Sequence, residues 1–242
     1  MDGYFVFDGI STKEYGIKFK ERLKRRTAEQ NYKEIENEYM DGCRYKDYSY
    51  KPYEIDIKMN YDRRKVNVDR LLEWLRPGKE GKLIIVSGEE YKADRYTEAK
   101  ITSEITIEPT SRFFCDLQVR FKVQPFFKKD YTLKYKSEKI EEIRVYNSSS
   151  VEMKPKIRMN ASGKVGLKIN NEKICELDFT SRRVLVLDTE ELECRDENGN
   201  LANRSMLGEF PTLKRGENNI KFENIEEGCM KSVEIELREK WW

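Results

Sequence analysis

Tyr53, Ile55, Ile57 and Met59 recur at every second position, with Glu54, Asp56 and Lys58 between them. That period puts the apolar set on one face of a strand and the charged set on the other. It returns in Ile157 and Met159, in Val165, Leu167 and Ile169, in Ile174 and Leu177, and in the short apolar runs 184–187, 220–222 and 233–237. Helical periodicity is convincing once. Asn67 is placed to cap a helix over 68–76, where Val68, Leu71, Leu72 and Leu75 form one apolar stripe with Trp74 beside it, and Pro77-Gly78 stops the run. The chain is therefore predicted to be mainly β with a single helix.

Along the chain, Tyr4, Phe5, Val6 and Phe7 read as a first strand closed by a turn at Asp8-Gly9. Residues 17–19 form another short strand. Between 22 and 50 the pattern is polar and reads as a long hairpin. Further strands are expected over 83–86, 91–93, 96–107 and 113–123, with turn residues at 108–111, and Gln124-Pro-Phe-Phe127 closes the segment. This front half reads as a β-sandwich or open barrel with the helix packed on it. The stretch 128–142 is charged without a strong apolar face, and Asn147-Ser-Ser-Ser150 reads as a loop. The expected division is thus 1–127 and 128–242. Asn170-Asn171 and Glu197-Asn-Gly-Asn200 suit hairpin turns, since asparagine and glycine tolerate left-handed angles. The back half is read as a second, two-sheet sandwich of jelly-roll type.

Charged residues reach 38% and mean hydropathy is −0.86, yet aromatics make up 12%, which implies a folded chain with a very charged exterior. The 47 basic and 45 acidic residues leave a net charge of +2, so the total does not signal nucleic acid or an anionic membrane. No run approaches the roughly 18 apolar residues of a membrane span, and the start MDGYFVFDGI lacks a signal peptide's features, so no membrane anchor is expected. Cys43, Cys115, Cys175, Cys194 and Cys229 contain no CxxC pair and read as scattered reduced thiols. Histidine is absent altogether. That removes the commonest general base and metal ligand, and the expectation is a protein with no catalytic residues, metal or cofactor. Acid pairs such as Glu89-Glu90, Glu141-Glu142 and Glu190-Glu191 are unsuited to glycosidase chemistry, because neighbours on a strand point to opposite faces. Gly163, Gly199, Gly208 and Gly216 read as backbone geometry rather than phosphate cradles.

Two surface features remain. Arg22, Lys24, Arg25 and Arg26 form a basic cluster diluted by Glu21 and Glu29, read as a solvated or intersubunit face in preference to a DNA contact. The hairpin 27–50 carries Tyr32, Ile35, Tyr39, Met40, Tyr45 and Tyr48, more large side chains than so small an element can bury, and is read as an arm that clasps a neighbouring subunit.

Several segments resemble, in order, those of a known family. They are Phe7-Asp-Gly-Ile-Ser-Thr-Lys-Glu-Tyr-Gly-Ile17, the helix followed by Pro77-Gly78 and Gly81-Lys-Leu83, Tyr91-Lys-Ala-Asp-Arg-Tyr96, and 113–126. In the back half follow Lys154-Pro-Lys-Ile-Arg-Met159, Ser162-Gly163, Val165-Gly-Leu-Lys-Ile-Asn170, Val184-Leu-Val-Leu-Asp188, Asn198-Gly199, Gly208-Glu-Phe-Pro-Thr-Leu213, Arg215-Gly-Glu-Asn-Asn-Ile220 and Trp241-Trp242. Their order and spacing resemble the distal tail (Dit) family of long-tailed bacteriophages. Where relatives often carry a Gly-Arg-Asp-Gly turn, this chain has Tyr39-Met-Asp-Gly42.

The resemblance implies a non-enzymatic hub: a homo-hexameric ring made by the N-terminal domain, with galectin-like C-terminal domains outward. One face meets the major tail tube protein and the other the tail-fibre or tail-associated lysin hub, with DNA only in transit. In some relatives the outer domain holds receptor-binding proteins, and in others an inserted module binds sugar; no insertion of domain size interrupts this sequence. The implied location is the virion tail tip after assembly in the host cytoplasm. A galectin-like protein binding cell-wall saccharide is the alternative binding function, and a wall hydrolase the enzymatic one.

Overall fold

The structure, a computed structural model, describes residues 3–36, 43–136, 142–180 and 183–242. It forms two units, one made of residues up to Lys128 together with Trp242, the other of Lys129–Trp241.

In the first unit the strands are β1 (Tyr4–Phe7), β2 (Ile10–Ser11), β3 (Lys18–Phe19), β4 (Gln30–Glu36), β5 (Cys43–Tyr50) and β6 (Tyr53–Asp62). The helix α1 (Val68–Trp74) follows, then β7 (Glu80–Val86), β8 (Thr97–Ile101), β9 (Thr106–Pro109) and β10 (Phe114–Val123). The main sheet runs β2-β1-β7-β8-β10-β6-β3, with β9 also on β10. β6 shows the expected alternation, Ile55, Ile57 and Met59 being buried while Glu54, Asp56 and Lys58 are exposed. The Asp8-Gly9 turn has φ of 51° and 81°, the left-handed pair a two-residue hairpin requires.

Three expectations for this unit are corrected. The span 96–107 is not one strand. Ile101 pairs with Phe121 and Thr106 with Gln118, so the chain uses more residues than β10 does between those points and leaves the sheet. At 91–93 only an isolated bridge forms, between Ser87 and Tyr91. The helix is capped as expected, Asn67 Oδ1 accepting from the Arg70 amide at 3.1 Å, but its buried stripe differs. Leu71, Trp74 and Leu75 are buried whereas Leu72 is exposed. At 100° per residue, Leu72 lies on the order of 100° from the centre of that set, so Trp74 takes its place against the sheet.

The second unit contains β11 (Phe127–Lys136), whose first two residues belong to the first unit, then β12 (Glu142–Asn147), β13 (Lys156–Ile169), β14 (Glu172–Asp178), β15 (Val184–Asp188), β16 (Glu193–Asp196), β17 (Met206–Gly208) and β18 (Gly216–Trp241). β13 and β18 form one long antiparallel ribbon. Near its start β13 also pairs with β15, and near its end with β14. Register shifts at Asn160/Ala161 and Ser162/Lys164 separate these two parts, and Gly163 sits there at φ 66°. The ribbon therefore serves two strand sets, β15 and β16 beside one part, β12, β14 and β17 beside the other. Ile157, Met159, Leu185 and Ile235 from one part join Val145, Leu167, Leu177 and Ile220 from the other in a single core. The unit is a β-sandwich folded from a bulged ribbon.

Two expectations are corrected here. The runs 220–222 and 233–237 belong to one strand, which pairs with β13 from Ile220 to Ile225 and, past register shifts, again from Cys229 to Glu236. The charged stretch after 127 contains β11, a strand at the edge of the sheet, where few apolar side chains are needed and charge is common. The loop 147–150 is held by side-chain hydrogen bonds, one set its own and one from β18. Buried Asn147 donates to the carbonyls of Val151 and Leu213 at 3.2 and 3.0 Å, and Glu239 accepts from the Ser148 amide at 2.8 Å and from its hydroxyl at 2.5 Å.

Candidate functional site

β4 and β5 form a two-stranded sheet of their own. Tyr32 faces Asp47, Lys33 faces Lys46, Glu34 faces Tyr45 and Ile35 faces Arg44, with an irregularity between Gln30 and Tyr32. The base is tied by the Lys51 amide to the Glu29 carbonyl at 2.8 Å and by an ion pair between the same two residues at 3.0 Å. Every side chain from Tyr32 to Ile35 is exposed, Tyr32 at 57% and Ile35 at 45%. A two-stranded hairpin is marginal alone, and the large exposed side chains on β4 form a surface suited to a partner. Of the other sequence candidates, Tyr45 and Tyr48 lie on β5, their side chains outside the described set, and Tyr39 and Met40 lie outside the described residues.

The basic cluster separates into two environments. Arg25 donates to the carbonyls of Glu90 and Trp242 and lies over the Tyr91 ring, 6.0 Å from its centre. Burial raises the pKa of the Tyr91 hydroxyl while Arg25 and Arg26 pull it back. Arg22, Lys24 and Arg26 instead line a groove of about 350 Å³ with Glu21, Glu54, Asp56 and Lys58. Cations and acids are nearly matched there, unlike a track built to neutralise phosphates. Trp242 stands in an aromatic group with Tyr50 and Phe126, ring centres 4.7 Å from each.

The second unit contributes an ion-pair chain: Arg238 contacts Asp130 at 2.7 Å and Glu190 at 2.9 Å, and Glu190 also meets Lys240. Glu190, one of the sequence's paired acids, is therefore held between cations. Trp241 is buried, with its Nε1 donating to the Ser148 carbonyl at 3.2 Å, and presents no open ring face. Cys115, Cys175 and Cys194 are buried and lie outside any disulfide. Among the described residues no three His, Cys, Asp or Glu side chains are grouped to hold a metal, and no helix is long and apolar enough to cross a membrane.

Among the described residues, two β units, one with a separate exposed hairpin and a single short α-helix, define the class as a mainly β protein. Among solved structures this fold is that of the Dit protein of phage SPP1, described as a paradigm of the hub adsorption apparatus in phages infecting Gram-positive bacteria. It matches with a TM-score of 0.71 at 12% identity, over 100% of this chain and 100% of that one. Two structures of the phage P2 baseplate in its activated conformation, with Ca and with Sr, match at a TM-score of 0.44 and 8% identity over 99% of each chain, a level from which a shared fold does not follow. No family model matches the chain, and no curated protein matches it.

Proposed function

We propose that this chain is a structural distal tail protein, a hub at the tail tip of a phage or prophage. In this reading the front half, 1–127, forms a homo-hexameric ring that joins the major tail tube protein to the tail-fibre or tail-lysin hub and lets DNA pass. The galectin-like back half, 128–242, faces outward, where it can hold a receptor-binding protein. The observation that carries the reading is the extent of the fold match: both β units, in order, are covered by one hub protein at a TM-score of 0.71. The hairpin 27–50 then has a use for its exposed Tyr32 and Ile35, since a head-to-tail contact repeated with the right rotation closes a ring.

The test is the protein's place in a particle. Electron microscopy of tails released from cells carrying the gene, decorated with gold-labelled antibody to this chain, is expected to show label at the end distal to the capsid. Label along the tube or on the capsid, or unlabelled particles, would refute the proposal.

A further inference from the structure

In the first unit β6 ends at Asp62, opposite Phe114 where β10 begins. The turn after β6 carries Arg63, Arg64 and Lys65, and the loop before β10 carries Thr110, Ser111, Arg112 and Phe113, all of them exposed. The Arg63 amide donates to the Phe113 carbonyl at 2.9 Å, which joins turn and loop into one tip. Within the loop the Phe114 carbonyl accepts from the Thr110 and Ser111 amides at 3.0 and 3.1 Å, and Ser111 Oγ accepts from the Phe113 and Phe114 amides at 3.3 and 3.1 Å. A tip fixed in this way loses little freedom when it docks.

Two adjacent aromatic side chains stand outside the core here, Phe113 at 38% and Phe114 at 44% exposure. The inward face of β10 is supplied by Cys115, Leu117 and Val119, so the sheet does not need these rings. Around them, positions 62–65 and 110–114 hold four cations against one acid, a net +3. That acid, Asp62, is taken up by Arg64, whose Nε and Nη2 donate to it at 2.9 and 2.7 Å. Arg63, Lys65 and Arg112 take part in no ion pair among the described residues. Arg64 and Arg112 also lie over the Phe113 ring, their guanidinium carbons 4.2 and 5.4 Å from its centre.

We propose that this tip docks on the surface of an anionic lipid bilayer, Phe113 and Phe114 entering the boundary between headgroups and acyl chains while Arg63, Lys65 and Arg112 meet lipid phosphates. A bilayer offers negative charge and apolar depth together, and it yields to a projecting tip without a matching hollow. The guanidinium of Arg64 can stay at headgroup depth while the ring it covers goes deeper. Nucleic acid fits less well. A single strand stacks its bases on free aromatic faces, whereas Arg64 covers one at Phe113, and a duplex backbone would satisfy the cations but leave both rings in water. An acidic protein segment would have to bring its own apolar hollow for two neighbouring rings. Each cation close to an anionic surface strengthens binding roughly fivefold, so one copy attaches weakly and reversibly. The inference goes beyond the tail-hub reading and does not rest on it; either can fail alone.

The experiment is sedimentation of the full chain with sucrose-loaded vesicles at up to roughly 5 mM lipid, enough to register a dissociation constant near 1 mM. Vesicles of phosphatidylglycerol and phosphatidylcholine in equal parts are compared with phosphatidylcholine alone in about 0.1 M salt. Binding is expected to the anionic vesicles only, and to fall as salt approaches about 1 M. The double variant Phe113→Ser, Phe114→Ser should weaken it roughly tenfold. The triple variant Arg63→Gln, Lys65→Gln, Arg112→Gln should weaken it roughly a hundredfold. No binding to anionic vesicles, equal binding to neutral ones, or undiminished binding by either folded variant would each overturn the proposal. The same proteins are titrated with a single-stranded DNA oligomer and with polyglutamate; a polyanion bound at least as tightly as the vesicles, and lost with the two phenylalanines, would reassign the tip to that partner. Circular dichroism accompanies each variant, and if one unfolds the other decides.

Discussion

Trp74 donates a hydrogen bond from Nε1 to the main-chain carbonyl of Phe7 at 3.0 Å, fastening the α-helix to the first strand. The indole also stacks on Tyr15 with ring centres 5.3 Å apart and planes 8° from parallel, and lies 5.7 Å from Phe5. A seven-residue helix cannot persist through backbone bonding alone, so contacts of this kind hold it in place. Trp74→Ala is therefore expected to destabilise the first unit by about 3–5 kcal/mol. Trp74→Phe keeps most of the packing but loses the donor, at a cost of about 1–2 kcal/mol. Urea denaturation followed by circular dichroism checks the order; equal effects would mean that the ring packing contributes nothing beyond the hydrogen bond.

Glu239 makes the comparable link in the second unit. Its carboxylate is buried at 7% exposure and accepts from both the amide and the hydroxyl of Ser148. Glu239→Ala leaves a Ser148 amide without its acceptor and should destabilise by about 1–3 kcal/mol. In Glu239→Gln a carbonyl oxygen can replace the acceptor, so the loss should be smaller. Denaturation midpoints of the two variants, measured side by side, decide it, and a glutamine variant as weak as the alanine one would contradict the account.

How far the fold could be read in advance depended on whether each element carried its own local signal. β6 was legible because its polar and apolar residues alternate without exception, and Asn170-Asn171 because both residues tolerate the left-handed angles found there, 53° and 70°. β11 was not: as an edge strand it needs little apolar sequence, so its charge resembled a linker. The continuity of β18 was hidden because its pairing partner, β13, lies far away in sequence. The hairpin's excess of large side chains, by contrast, is a local property of 27–50.

Cys175 gives a prediction about pH. Burial, assisted by neighbouring Cys194, pushes its thiol from 9.0 up to about 12. The folded state therefore holds this proton more tightly than the unfolded chain does. The associated stability is fully present below pH 9 and is lost as pH rises through 12. A shift of that size corresponds to up to about 4 kcal/mol. Tyr131 acts in the same direction, raised from 10.0 to about 12 chiefly by burial. The second unit is expected to lose stability steadily between pH 9 and 12, with a shallower slope in Cys175→Ala. Denaturation midpoints across that range test it, and identical slopes would show that Cys175 ionisation is not involved.

The exposed hairpin makes assembly separable from folding. Tyr32 and Ile35 bury little in the isolated chain, so replacing both by serine should change stability by no more than about 0.5 kcal/mol. If the hairpin clasps a neighbouring copy, the same double variant should lose self-association. Light scattering reports mass and circular dichroism reports fold. A folded Tyr32→Ser, Ile35→Ser protein that assembles as well as the unaltered chain would remove these two side chains from the interface.

Leu192 offers a change in the opposite direction. It lies in the turn between β15 and β16 at φ 57°, a left-handed conformation that crowds Cβ against the following carbonyl and costs an ordinary L-residue about 1–2 kcal/mol. Its side chain is 58% exposed and so contributes little burial in return. Asparagine occupies the same region at 170 and 171 of this unit, where its short polar side chain can bond locally. Leu192→Asn is thus expected to stabilise the second unit by about 0.5–1 kcal/mol, raising its melting temperature by about 1–4 °C. Leu192→Gly removes the clash too, but glycine has more freedom to lose on folding, so its gain should be smaller. Differential scanning calorimetry of the three proteins at neutral pH reads both comparisons. A lower melting temperature for the asparagine variant would show that the leucine's remaining contacts outweigh its backbone strain.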